Sequence, residues 1–160
     1  EFIHDYFKKN KEVQIVFDKP IIFFNKNRKF KMKINSRSKY LIPWPQFPPQ
    51  SCISIRRKYL DKLFKKIMFL KFPNTWLDFR IICQTIIDFQ KIHVINEYLT
   101  FYRQHPNSQI IDYKKKFSIN WWKKREEAHQ FQNLLYKKNR KSLNYSIDRF
   151  FTKIINIFID

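Results

Sequence analysis

Asn74–His105, NTWLDFRIICQTIIDFQKIHVINEYLTFYRQH, lies between Pro73 and Pro106, and its reading sets that of the rest of the chain. Asn74 is a suitable N-cap, and the prolines set natural limits, so the spacing predicts one long helix up to Pro106. Trp76, Leu77, Phe79, Ile81, Ile82, Ile86, Ile87, Phe89, Ile92, Ile95, Leu99 and Tyr102 cover most of its circumference. A helix that is apolar nearly all round is central or shared with a partner. At 1.5 Å per residue it would exceed about 40 Å, which leaves room for a break near Asp88–Lys91.

Amphipathic helices are expected on both sides of this segment. From about Ser54, Leu60, Leu63, Phe64, Ile67 and Met68 recur at three and four, with Lys58, Lys62, Lys65 and Lys66 largely off that stripe. A helix from about Asn120 to Arg140 carries Trp121, Trp122, Phe131, Leu134 and Leu135. The last helix, about Asn144 to Phe158, presents Ile147, Phe150, Phe151, Ile154, Ile155 and Phe158 at i, i+3, i+4, i+7 spacing, which points to core packing.

The first forty residues read differently. Val13–Phe17 and Pro20–Phe24 are short β-branched and aromatic runs, a hairpin or two successive strands. In Arg28–Ile34, Phe30, Met32 and Ile34 alternate with Lys29, Lys31 and Lys33, the period of a strand with one packed and one cationic face. Leu41–Gln50, LIPWPQFPPQ, holds four of the seven prolines and predicts an extended strap that packs Trp44 and Phe47 onto the domain or a large assembly. The expected class is α+β, mostly helical. It comprises a basic strand-rich segment over 1–40, a Pro-rich strap over 41–51 and a helical domain of about four amphipathic helices over 52–160.

Charge is segregated along this order. The chain carries +20 in all, and Lys19–Lys71 holds fifteen Lys and Arg against the single acid Asp61. The segment Tyr113–Asp160 holds twelve against four, while the apolar middle is nearly neutral. Two basic regions around an apolar middle are the electrostatic footprint of a polyanion binder. The candidate phosphate contacts are Arg28, Lys29, Lys31, Lys33, Arg37 and Lys39, then Arg56, Arg57 and Lys58 at a helix start. A third group is Lys114, Lys115, Lys116, Lys123, Lys124, Arg125, Lys137, Lys138, Arg140 and Lys141, with Trp121 and Trp122 between as candidate stacking partners.

Catalytic chemistry finds no support. With Gly 0, the chain has no phosphate-cradling loop, dinucleotide turn or nucleophile elbow. Cys52 and Cys83 lack metal-ligand spacing and read as buried free thiols. Glu126 and His129 share a helix face but read as a surface pair, because the partner carboxylates of a di-iron site are missing. Asp78 and Asp88 lie about 15 Å apart along a helix, too far for acid–base work. His93 reads as a hydrogen-bonded core imidazole. No enzyme activity, cofactor, metal or small-molecule substrate is expected. No segment is free enough of charge to predict a membrane span.

The composition adds one further pointer. Residues with AT-rich codons dominate, with Lys 24, Ile 23, Phe 18, Asn 12 and Tyr 8 against Gly 0 and a single alanine, Ala128. That bias is expected of an organelle-encoded gene, and such genomes keep mainly ribosomal and respiratory proteins. The residues therefore predict a structural, rRNA-binding component of a mitochondrial ribosome, on the matrix side, with ribosomal RNA and neighbouring proteins as partners. The alternative is an accessory subunit of a respiratory-chain membrane complex, whose basic surface would meet anionic lipid headgroups.

Overall fold

The structure, a computed structural model, describes residues 1–25, 28–34, 41–68, 72–104, 117–143 and 145–159. It is an α+β fold. Its helices are α1 (Phe2–Lys9), α2 (Arg57–Ile67), α3 (Leu77–Phe89), α4 (Ile119–Lys138) and α5 (Ile147–Ile159). Its strands are β1 (Ile15–Phe17), β2 (Pro20–Asn25), β3 (Arg28–Lys31), β4 (Ile53–Ile55) and β5 (Thr100–Arg103). They form two small sheets, β1–β4 and β3–β2–β5.

The central helix is α3, and it is half the expected length. Its residues Ile81 and Ile82 pack with Ile15, Phe17, Tyr59, Leu63 and Ile67 on one side. Phe79, Cys83 and Ile87 pack with Trp44, Phe72, Phe131 and Leu135 on the other. The helix ends at Gln90, whose φ of 61° is left-handed and whose N–H donates to the Ile86 carbonyl at 2.8 Å. Beyond it the chain is extended. Phe17 and Ile95 exchange backbone hydrogen bonds with His93 and Phe17 at 2.8 and 2.9 Å, and Thr100–Arg103 becomes β5, parallel to β2. A helix up to Pro106 is therefore corrected. An uninterrupted apolar run fits a buried helix or a buried strand equally, and the partners offered by β1 and β2 decide between them.

Other departures have similar causes. Of the two readings of the first strands the second holds, since β1 and β2 are successive strands that do not pair with each other. Antiparallel pairing instead joins β1 to β4, from Ile15↔Ile55 to Phe17↔Ile53, and β2 to β3. The short helix α1, absent from the sequence reading, packs Ile3, Tyr6 and Phe7 against Val13, Val16 and Ile95. The Pro-rich strap lays Trp44 edge-on against Phe79 at 4.9 Å, buried within the domain. Cys52 and Cys83 are free and buried.

The most consequential departure is α5. Its inward residues are polar, namely Asp148, Arg149, Thr152 and Asn156, of which Thr152 and Asn156 are buried. Ile147, Phe150, Phe151, Ile157 and Phe158 point outward, Phe158 with 85% of its surface exposed. Core packing of this stripe is thus corrected, because the helix docks through hydrogen bonds and an ion pair on its other face. Asn156 Nδ2 donates to the Trp122 carbonyl at 3.3 Å, so α5 runs antiparallel along α4.

Two phenylalanines should separate core from surface. Phe131 is wholly buried, and Phe131→Ala should cost about 3–5 kcal/mol in denaturant unfolding. Phe151 is 52% exposed, and Phe151→Ala should cost less than about 1 kcal/mol in the same measurement.

Candidate nucleic-acid interface

The three-stranded sheet has one closed and one open face, and its register assigns every side chain to one of them. Ile21 of β2 lies between Lys31 of β3 and Phe101 of β5, and Phe23 lies between Lys29 and Arg103. These six share the open face, since laterally paired residues point the same way. Lys29, Lys31, Phe101 and Arg103 are exposed, and Ile21 and Phe23 are half-buried although they belong to the middle strand. The opposite face carries Ile22, which is buried, Tyr102 and Thr100, which are half-buried, and at its β3 edge Phe30, which is exposed and stacks on Phe24 at 6.0 Å. Thr100 Oγ1 donates to the buried Asp18 at 3.2 Å and closes this face onto the body.

Tyr98 borders the open face. Lys31 Nζ lies 4.8 Å from its ring centroid and Lys19 Nζ 5.9 Å, with Lys19 also donating to Asn96 at 2.6 Å. Among the described residues no carboxylate pairs with Lys29, Lys31 or Arg103. Lys29, Lys31 and Lys33 were legible from their alternation. Phe101, Arg103, Tyr98 and Lys19 were not singled out, because the first three lie in the segment read as helical. The Thr-Phe-Tyr-Arg run, β-rich and just short of Pro106, was the available signal.

The remaining candidates divide by structure. On α2, Tyr59, Leu63 and Ile67 face inward, while Arg57, Lys58, Lys62 and Lys65 face water with Asp61, whose carboxylate lies 3.6 Å from Arg57. On α4, Ser118 caps the N-terminus by accepting from the Trp121 N–H at 3.2 Å. Lys123, Lys137 and Lys138 are exposed on the helix, and Arg140 and Lys141 follow it. Lys141 Nζ also donates to the Ile87 carbonyl at 2.6 Å. Lys124 is half-buried at the rim of a cleft of about 270 Å³ lined by Trp44, Phe47, Trp76 and Phe79. Trp121 and Trp122 meet edge-on at 4.6 Å beneath the exposed Phe117. Arg28 begins β3, and Arg37, Lys39, Lys114, Lys115 and Lys116 lie outside the described residues.

Two candidate arginines are structural. Arg56 donates to the carbonyls of Val13 at 2.7 Å, Phe7 at 2.5 Å and Asn10 at 3.1 Å, and so binds the last turn of α1, where a cation also meets the negative end of the helix dipole. Arg125 is buried, with Nε and Nη2 on Asp148 Oδ1 at 2.6 and 2.5 Å. Its guanidinium lies 5.2 Å from the Trp44 ring and 4.7 Å from that of Trp121.

Asp148 Oδ2 meets His129 Nε2 at 2.8 Å. A carboxylate only accepts, so Nε2 carries the proton. His129 is buried, which corrects its reading as half of a surface pair with Glu126. His93 lies beyond α3 and is held through its carbonyl, which accepts from Phe17. Burial would raise the Asp148 pKa, but hydrogen bonds from His129 and Arg125 outweigh it and hold the carboxyl below its ordinary value. Burial lowers the His129 pKa more than Asp148 raises it.

No protein-family model matches this sequence, and comparisons with curated proteins and with solved structures find no match. Among the described residues no group of His, Cys, Asp and Glu is placed to hold a metal ion, and no helix is long and apolar enough to cross a membrane. The thiol of Cys52 is pushed up to about 11 by burial and by Asp18, which leaves it unreactive as a nucleophile at neutral pH.

The depressed pKa values fix how stability varies with pH. Below about pH 6.5 the unfolded imidazole takes up a proton that folded His129 resists, and below about pH 4 the unfolded carboxyl takes up one that Asp148 resists. The stability that this pair contributes should be full above about pH 6.5 and fall in two stages on acidification. The lower stage is opposed by Asp18 and Asp78, whose carboxyl pKa values burial raises. His129→Gln should remove the upper stage in unfolding curves at stepped pH. Asp148→Ala should cost about 3–5 kcal/mol in the same measurement, by leaving Arg125 buried without its counter-charge.

Proposed function

We propose that this chain is a structural RNA-binding protein of an organellar, mitochondrial ribosome, holding ribosomal RNA through its basic faces. The observation that carries this reading is how the two signs of charge are distributed. Four acids are engaged within the fold, while Asp5, Glu12, Asp61 and Glu97 face water. Asp18 is buried, Asp88 accepts from Tyr59, Lys66 and Gln84, Glu127 accepts from Asn74 and Thr75, and Asp148 holds Arg125 and His129. Lys29 and Lys31 of β3, Lys58, Lys62 and Lys65 of α2, and Lys123, Lys137 and Lys138 of α4 have exposed side chains. The exposed surface is strongly basic, in keeping with the formal +20. Such a surface neutralises phosphates and follows the shape of a folded polyanion with little reading of bases.

The AT-biased composition supports placement on the matrix side of the mitochondrion, and the apolar outer face of α5 suits a protein packed among neighbours in a large assembly. That same face favours the second reading, an accessory subunit of a respiratory-chain membrane complex. Gradient sedimentation of a mild-detergent lysate separates the two. Co-sedimentation with ribosomal RNA and a shift after RNase support the ribosome, while movement with a membrane complex regardless of RNase overturns it.

Lys123→Gln with Lys124→Gln should flatten the dependence of log affinity on log salt by about 1.8 for structured RNA, two phosphate contacts, with unfolding unchanged. Arg125→Gln should instead lower the unfolding midpoint, because its charge is committed to Asp148. An unchanged salt slope in the lysine variant would remove both residues from the phosphate contacts.

A further inference from the structure

The open sheet face carries a combination that phosphate neutralisation does not require. Phe101 is 63% exposed, flanked across β2 by Lys31 and along β5 by Arg103. A face that only gripped a duplex backbone would gain nothing from a phenyl ring held in water. A face that docked a protein core would be depleted of lysine at its centre. A lipid-facing surface would gather its apolar residues rather than alternate them with cations. An aromatic ring set among cations on an uncovered sheet matches a nucleobase with its neighbouring phosphates, because each base offers a π-face for stacking.

We propose that this face binds an unpaired segment of a nucleic-acid strand, with one base stacked on Phe101 and flanking phosphates held by Lys29, Lys31 and Arg103. The inference rests on the RNA-binding reading above and narrows it at this site from folded RNA to an unpaired stretch. Neighbouring strands lie about 4.8 Å apart, so β3 and β5 are about 10 Å apart across β2, within reach of lysine and arginine side chains on either side of a stacked base. Tyr98 is a second ring beside the face, but Lys31 and Lys19 already lie against it. Phe23 is half-buried in the middle strand, and Phe101 is the most exposed ring of the face and the one for the base. Stacking and phosphate contact do not depend on a 2′-hydroxyl, so the chemistry serves an RNA or a DNA strand alike.

The test uses the full chain in fluorescence anisotropy, with a labelled oligouridine, the matching oligodeoxythymidine and a blunt RNA duplex of equal length. The unpaired RNA should bind more tightly than the duplex at equal salt, and Phe101→Ala should weaken it about tenfold while leaving the duplex unchanged. Phe101→Trp should restore the affinity, which a purely structural role of the side chain would not predict. Lys29→Gln with Lys31→Gln should flatten the salt slope for the unpaired strand by about 1.4. Equal loss on the oligodeoxythymidine assigns the site to unpaired strands of either kind, and loss on RNA alone assigns it to RNA. Parent-like affinity of Phe101→Ala for the unpaired strand, with duplex binding intact, overturns this site and leaves the RNA-binding reading standing. Failure of the parent to bind any of the three overturns both.

Discussion

A buried three-way contact sets the orientation of the C-terminal half. Asp148, near the start of α5, holds Arg125 and His129, one turn apart on α4. Trp44 of the strap packs its ring tilted against His129 at 4.8 Å, and the Leu41 carbonyl accepts from the Asp148 N–H at 3.1 Å. One carboxylate thus ties together two helices and the Pro-rich strap. A buried ion pair adds little net stability over an apolar substitute, but it resists rearrangement, because separating its members strands a charge in low dielectric. Once Asp148 is fixed inward, helical geometry turns Phe150, Phe151, Ile157 and Phe158 outward. The exposed stripe follows from the buried charge.

The N-terminal half is organised around β2 in a comparable way. β2 pairs with β3, its near neighbour in sequence, and with β5, which follows α3. That second pairing carries the chain across α2 and α3 before it closes, so the two helices are enclosed between strands that meet. Arg80 strengthens the enclosure from inside. It is buried, its guanidinium donates to the carbonyls of Thr75 and Ile67 at 3.0 and 3.1 Å and to that of Phe72, and burial lowers its pKa. Carbonyls at the end of α2 thereby gain a donor that the helix itself does not supply.

The class of fold was legible because local pattern and tertiary demand agree in most places. The Lys29–Lys33 alternation marks a strand, and the Leu60–Ile67 spacing marks a helix. Pattern failed where it was silent on partners. Ile92–Arg103 is apolar enough for a helix, and the unpaired edges of β1 and β2 drew it into extended structure. The α5 stripe was read with the correct period and the wrong direction, since periodicity identifies a face but does not say what covers it. At the site, an exposed lysine and a buried arginine look alike in sequence. Lys123, Lys124 and Arg125 are consecutive, yet the 100° step between helix neighbours puts Arg125 against Asp148. The open sheet face stayed hidden because Phe101 and Arg103, two of its six side chains, come from β5.

Among the described residues three occupy the left-handed region, Gln90 at φ 61°, Phe117 at 67° and Arg140 at 52°, and each flanks a helix. These are positions where glycine would sit without steric conflict, and side chains with a Cβ cost about 1 kcal/mol more there. No glycine occurs anywhere in the chain. The composition thus bears on the folded molecule at its helix ends, where residues with a Cβ reverse the backbone in place of glycine. Strain of that size at each joint follows from building helix ends without glycine, and a single glycine at any of the three positions would relieve it.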